Sequence, residues 1–267
     1  MRKITVEVLR EMKRSGERIT ALTAYDYPTA KILDEAGIEL ILIGDSAANV
    51  VYGHATTLPI GMGEMLYHTR AVAAGAKRAI LVADMPFLSY QVSIEEAVTN
   101  AGTLMKAGAE AVKLEGGAPM LKTIQRLVEI GIPVMGHLGL TPQSVYQLSG
   151  YKLQARTEAA QEQLLSDARQ LETAGCFAIV LEKIPRGLAQ RVSQALAIPT
   201  IGIGAGPDCD GQILVLHDIL GLSDQKLRFV KRYAEVGKAI RAAADQYRHE
   251  VKGGTFPGPE HSYTEEN

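Results

Sequence analysis

Apolar residues recur along the chain in two alternating patterns: short, nearly continuous runs, and longer stretches with an apolar position every three or four residues. The runs suit strands covered on both faces, as parallel sheets require, and the spaced stretches suit helices with one buried stripe. This reading predicts strands at Ile19 to Tyr25, Leu40 to Ser46, Ala79 to Asp84, Ala111 to Glu115, Val134 to His137, Phe177 to Glu182, Thr200 to Gly204 and Ile213 to Leu216. Five helix-like segments end in a glycine just before a new apolar run, at Gly37, Gly75, Gly108, Gly131 and Gly175. Glycine suits the left-handed conformation past a helix C-terminus, so these mark repeated βα units. Ser93 with Glu96 predicts a capping box opening a helix that runs to about Gly108. Thr157 opens another, with Ala160, Leu164, Ala168 and Leu171 on its stripe.

Eight strands with interleaved helices fit a closed (β/α)8 TIM barrel better than a doubly wound sheet, which needs fewer strands and an evident nucleotide loop. The connection from Ala205 to Gln212 is too short for a helix, so the repeat is irregular there. Ile4, Val8, Leu9 and Met12 predict an extra N-terminal amphipathic helix that ends near Ser15 and Gly16 and plugs the N-terminal mouth. A long helix is expected over Gln225 to Val251, followed by a tail rich in Gly, Pro and charge, either mobile or a subunit arm. The chain thus divides into an N-terminal helix (1–17), a barrel (18–224), and a C-terminal helix with tail (225–267), read as one domain.

The 267 residues, 46% of them hydrophobic, suffice for a sizeable core. No run approaches the roughly 20 apolar residues of a membrane span, and no signal peptide is evident. With a net charge of −2, no Trp and 5% aromatic residues, nucleic acid is not an expected partner. Two cysteines, Cys176 and Cys209, supply neither a disulfide framework nor a thiolate zinc site, and read as buried thiols in a reducing cytoplasm.

Position then separates chemistry from packing, because residues at the C-terminal ends of barrel strands converge on one mouth. Asp45, Asp84, Lys113 with Glu115, His137 and Glu182 close five of the expected strands. Side chains alternate, so Lys113 and Glu115 point inward while Val112 and Leu114 meet the helices. Four carboxylates and one lysine in one mouth carry a formal charge near −3. Burial and repulsion would force protonation unless a cation is present. Oxygen donors, with no Cys and no His pair at helical spacing, favour a hard ion such as Mg²⁺ over Zn²⁺.

Other features carry less. Gly202-Ile203-Gly204-Ala205-Gly206 has the look of a phosphate cradle but opens no convincing helix. His54, His68 and His217 have no spacing partner. Ser46 lacks a G-x-S-x-G elbow, so it reads as a substrate-binding hydroxyl rather than a nucleophile. Tyr25 and Asp26 either line the mouth or serve as a packed ring and a helix cap.

The chain resembles the ketopantoate (3-methyl-2-oxobutanoate) hydroxymethyltransferase family. The resemblance rests on Thr23-Ala24-Tyr25-Asp26-Tyr27, Ile43-Gly44-Asp45-Ser46, Asp84-Met85-Pro86-Phe87, Val112-Lys113-Leu114-Glu115-Gly116-Gly117, Gly136-His137-Leu138-Gly139-Leu140-Thr141-Pro142, Leu181-Glu182, and the glycine-rich run from Ile201 to Gly206. Phe256-Pro257 and Glu260-His261-Ser262-Tyr263 match that family's C-terminus, while Ala47-Ala48-Asn49 depart from bulkier residues. The resemblance implies a Mg²⁺-dependent, cytoplasmic barrel enzyme, usually a homodecamer. It implies transfer of a hydroxymethyl group from 5,10-methylenetetrahydrofolate to 3-methyl-2-oxobutanoate, giving 2-dehydropantoate for pantothenate and coenzyme A, through a metal-stabilised enolate. It places metal ligands on Asp45, Asp84 and Glu115, keto-acid contacts on Asp45, Ser46, Asp84 and Lys113, and the catalytic base on Glu182. His137 either orients Glu182, touches substrate, or is structural.

Two other readings suit part of the pattern. A Mg²⁺-dependent carbon–carbon lyase acting on C4 diacids would use similar chemistry, but the loop beyond His137 has none of the cysteine such lyases generally carry. A non-catalytic barrel that binds keto acids would not need Glu182 beside a full set of metal ligands.

Overall fold

The computed structural model describes residues 2–223 and 226–264. Residues up to Leu216 form one compact unit and those from His217 onward a second. The first contains β1 (Ile19–Thr23), β2 (Leu40–Ile43), β3 (Ile80–Asp84), β4 (Ala111–Glu115), β5 (Val134–Gly139), β6 (Ala178–Glu182), β7 (Thr200–Ile203) and β8 (Gly211–Leu214). Each strand pairs in parallel with the next, and β8 closes on β1, giving the expected TIM barrel in chain order. Around it run α1 (Val6–Ser15), α2 (Tyr27–Glu35), α3 (Ala47–Val50), α4 (Met62–Gly75), α5 (Ile94–Lys106), α6 (Leu121–Glu129), α7 (Glu158–Thr173) and α8 (Arg186–Ala195). Residues 204–210 join β7 to β8 without a helix.

Local chemistry explains the boundaries. Ser93 accepts the Glu96 N–H at 3.1 Å, and Thr157 accepts that of Ala160 at 3.3 Å, so both helices begin where the capping residues stand. Gly37, Gly108, Gly131 and Gly175 take φ of 89°, 114°, 89° and 101°, the left-handed turn that ends a helix. Gly75 differs. It is the last residue of α4, and a Cβ there would lie 2.4 Å from the Tyr27 carbonyl oxygen, so its role is close approach to α2. β1 and β2 end earlier than expected, at Thr23 and Ile43, because Asp26 caps α2 through the Thr29 N–H at 2.8 Å and the chain turns after Gly44 into α3.

The barrel interior is stratified. Ile19, Ala21, Leu40, Leu42, Ile80, Val82, Ala111, Met135, Ala178, Val180, Ile201 and Ile213 form one buried cluster, and Ile4, Val8, Leu9 and Met12 of the N-terminal segment pack into it. The amphipathic helix therefore covers this apolar cluster, as its pattern foretold. Continuing along the same strands by steps of two leads from Ile80 and Val82 to Asp84, from Ala111 to Lys113 and Glu115, from Met135 to His137, and from Val180 to Glu182. Alternation alone thus puts an apolar floor below an ionisable mouth.

Asp34 of α2 anchors the segment that leads into β3. Its carboxylate accepts the N–H groups of Lys77 at 3.0 Å, Arg78 at 2.9 Å and Ala79 at 2.6 Å. Burial opposes its charge, but the N–H groups of Ala79, Lys77 and Arg78 outweigh burial and hold the carboxyl below its usual range. Asp34→Ala is expected to cost about 3 kcal/mol at neutral pH by orphaning these donors. Because the folded pKa is depressed, this contribution is present above the unfolded value of about 3.9 and is lost as pH falls through the folded one. Urea titrations of both proteins at pH 7 and at pH 3 check this, the gap narrowing in acid.

In the second unit, α10 spans Val236–Gly253 and so begins later than the expected Gln225. Asp224 and Gln225, at the expected junction, lie outside the described residues, as do the last three residues of the tail. Residues 226–235 are not helical because their N–H groups find other partners. Those of Tyr233 and Ala234 donate to the carbonyl of Ile219, the last residue of the short α9 (Leu216–Ile219), at 2.8 and 3.2 Å. The tail carries a 3₁₀ turn at Pro259–His261. Among the described residues, no helix is long and apolar enough to cross a membrane.

Candidate active site

Strand register builds the mouth of the barrel. Asp84 lies beside Lys113, and Glu115 beside His137, on adjacent strands. All four are buried, and the Lys113 ammonium contacts Asp84 Oδ1. Asp45 and Ser46 enter from the turn after β2, where the Asp45 N–H donates to Asp84 Oδ2 at 3.0 Å. A Cβ on Gly44 would sit 2.6 Å from Ser46 Oγ, so glycine there lets Ser46 turn inward. Ser46 Oγ is 2.9 Å from the Tyr25 hydroxyl. Ala47 and Ala48 begin α3 and are fully buried, so their small side chains match a closely packed turn.

Glu182 ends β6. Its Oε2 is 3.4 Å from His137 Nε2, while His137 Nδ1 is 3.3 Å from Glu115 Oε1. The imidazole thus stands between two carboxylates at ion-pair distance without the alignment of a hydrogen bond at either nitrogen. Burial and the Lys113 charge oppose its protonation, but Glu115 and Glu182 outweigh them and raise it to about 9. Gly139, beside Glu182 in the register, has φ of 93°, and a Cβ there would lie 2.2 Å from the Glu182 carbonyl oxygen. No side chain fits at that point.

Two buried residues that sequence patterns did not single out complete the site. Gln143 follows Pro142 in the turn after β5. Its backbone N–H donates to Glu115 Oε2, and its Nε2 donates to Asp45 Oδ2 and the Met85 carbonyl, each at 2.9 Å. Its Oε1 accepts from the Tyr90 hydroxyl at 2.7 Å and from Gln91 Nε2 at 3.2 Å. Gln143 lies one residue beyond the motif that ends at Pro142, and uncharged residues in loops carry no periodic signal. Other residues resolve to packing. Gly202 and Gly206 meet the side chains of Cys209 and Arg186, and both cysteines are buried and free. His68 Nδ1 and Nε2 lie 2.7 Å from the Tyr25 carbonyl and 2.9 Å from the Tyr52 hydroxyl.

The electrostatics match the crowding of acids. Burial, then the charges of Asp84 and Glu115, push Asp45 up to about 8. Burial works against the Lys113 charge, but Asp84, Glu115 and Asp45 more than offset it, so its pKa is raised. The donor set fits a hard divalent cation in its chemistry: Asp45 and Asp84 are neighbouring oxygen donors, and buried Glu115 Oε1 has no hydrogen-bond partner. Yet among the described residues no three His, Cys, Asp or Glu side chains are arranged to hold a metal ion, so the expected trio of Asp45, Asp84 and Glu115 is not preassembled. Gln143 bridges Asp45 and Glu115, and Lys113 with the Asp45 N–H occupies both oxygens of Asp84.

Comparison with known proteins agrees with the motifs. The family model for ketopantoate hydroxymethyltransferase matches residues 3–259. A protein named 3-methyl-2-oxobutanoate hydroxymethyltransferase from Syntrophus aciditrophicus is 55% identical, covering 98% of this chain and 97% of its own. One of the same name from Syntrophotalea carbinolica is 56% identical over 97% and 98% of the two chains. Among solved structures, phosphonopyruvate hydrolase in complex with oxalate and Mg²⁺ has a TM-score of 0.63 at 16% identity, covering 98% of this chain and 93% of that one. 2,3-Dimethylmalate lyase, a PEP mutase/isocitrate lyase superfamily member, gives 0.61 at 19%, covering 98% and 92%. At such identities the likeness is one of fold. The identity of about 55% along the whole chain goes further: this barrel is an enzyme that belongs to the ketopantoate hydroxymethyltransferase family.

Proposed function

We propose that the enzyme transfers a hydroxymethyl group from 5,10-methylenetetrahydrofolate to 3-methyl-2-oxobutanoate, giving 2-dehydropantoate for pantothenate and coenzyme A biosynthesis, and that it uses Mg²⁺. The observation that carries this reading is the convergence of buried Asp45, Asp84, Lys113 and Glu115 on one mouth, with Glu182 joined to them through His137 and a single lysine among the acids. Asp45, Asp84 and Glu115 would hold the ion. When bound, a divalent ion supplies Lewis-acid stabilisation of the negative charge that develops on the keto oxygen.

The protein's own groups do the rest. Lys113 and Ser46 bind the carboxylate and keto oxygens of the substrate and orient its C3 hydrogen. Glu182, reached from a different strand and outside the acidic group around Asp84, takes the C3 proton. His137 lies against the Glu182 carboxylate and limits the positions it can take. The carbon left nucleophilic then attacks the methylene group of the folate donor.

A substrate panel tests the proposal. The chelator-treated enzyme, with and without Mg²⁺, is offered 3-methyl-2-oxobutanoate plus methylenetetrahydrofolate, or C4 diacids alone. The expected result is Mg²⁺-dependent formation of 2-dehydropantoate and no cleavage of the diacids. Diacid cleavage without hydroxymethyl transfer would instead establish the lyase reading.

A further inference from the structure

The most fully connected polar side chain in the mouth is uncharged. Gln143 is 6% exposed, and its amide uses both donors and both acceptor positions. Its Nε2 faces the Asp45 carboxyl and the Met85 carbonyl, the latter able only to accept, while its Oε1 faces an amide and a hydroxyl that donate. The partners therefore fix the amide orientation and remove its rotational freedom. Tyr90, which also takes the Glu115 N–H at 3.1 Å, ties this amide to β4.

Such a fixed amide holds what it touches. It engages Asp45 through Oδ2 alone, while the Gln143 main-chain N–H holds Glu115 through Oε2 alone. The loop after β5 thus orients two carboxylates that come from the β2 turn and from β4. A neutral donor does so without adding a positive charge that would compete with a cation, in contrast to Lys113 at Asp84. We infer that Gln143 is a positioning residue of the divalent-cation site, tethering the Asp45 and Glu115 carboxylates by one oxygen each and leaving the other oxygen of each for the ion. This rests on the cation reading proposed above. Hydrogen-bond partners that orient metal ligands typically change metal affinity about 10–100-fold when removed.

The test is a Mn²⁺ titration of the substrate-free full-length protein, read by the electron paramagnetic resonance signal of free Mn²⁺. Gln143→Ala is expected to weaken Mn²⁺ binding about 10–100-fold, and Tyr90→Phe, which removes only the hydroxyl that fixes Oε1, about tenfold. Circular dichroism and thermal unfolding verify that each variant is folded. If Gln143→Ala does not fold, Tyr90→Phe decides. Wild-type affinity, within about twofold, in a folded variant would overturn the positioning role while leaving the cation reading intact. Absence of Mn²⁺ binding by the wild-type protein would overturn both.

Discussion

Glu182→Gln is expected to lower kcat by about 10²–10⁴-fold, the range general-base catalysis contributes, with the Michaelis constant for the keto acid changing far less. The substitution keeps the shape of the side chain and its place 3.4 Å from His137 but removes the basic oxygen. It also separates proton removal from carbon–carbon bond formation. Without the folate donor, the wild-type enzyme should exchange the C3 deuteron of labelled 3-methyl-2-oxobutanoate with solvent in a metal-dependent way, and the variant should not. Undiminished exchange would move the base to another residue.

Lys113→Met should have the largest effect on stability. The lysine side chain is 5% exposed and in contact with Asp84, in a pocket that also holds Asp45 and Glu115. Methionine fills similar space but leaves the carboxylates without their cation. Breaking a buried pair from one side costs about 3–5 kcal/mol. The lysine pKa is raised in the folded protein, so its contribution is complete at neutral pH, below the unfolded value of about 10.4, and is lost only as pH rises through the folded value. Urea unfolding at pH 7 measures the loss, and a value under about 1 kcal/mol would show that the charge is not carrying that weight. Keto-acid binding should fall with it, since the same ammonium is assigned to the substrate carboxylate.

Much of this mouth was legible in sequence because strand alternation is strict. Once Ala111 to Glu115 reads as a strand, Lys113 and Glu115 must share a face, and the structure puts both inside the barrel. The same holds for Asp84, His137 and Glu182. Segments that leave regular structure were less legible. The strand expected to run to Ser46 stops at Ile43, because a turn brings Asp45 back toward Asp84. The helix expected from Gln225 starts at Val236, because backbone donors before it, at Tyr233 and Ala234, bond to Ile219. Gly75 ends α4 as expected, but without the left-handed turn, and its missing Cβ permits contact with α2. In each case a contact distant in sequence outweighed a local preference.

The order of strands and helices, the closed barrel, the plugging N-terminal helix and the acidic character of one mouth follow from periodicity and position, properties that each segment carries by itself. Which oxygens are already occupied follows only from packing. Gln143, between Asp45 and Glu115, and Lys113 on Asp84 come from different strands and loops, and a hydrogen bond across them depends on distances of a few tenths of an ångström that no linear pattern encodes. The chain therefore determined where the acids would gather, and the folded backbone decided how they are paired.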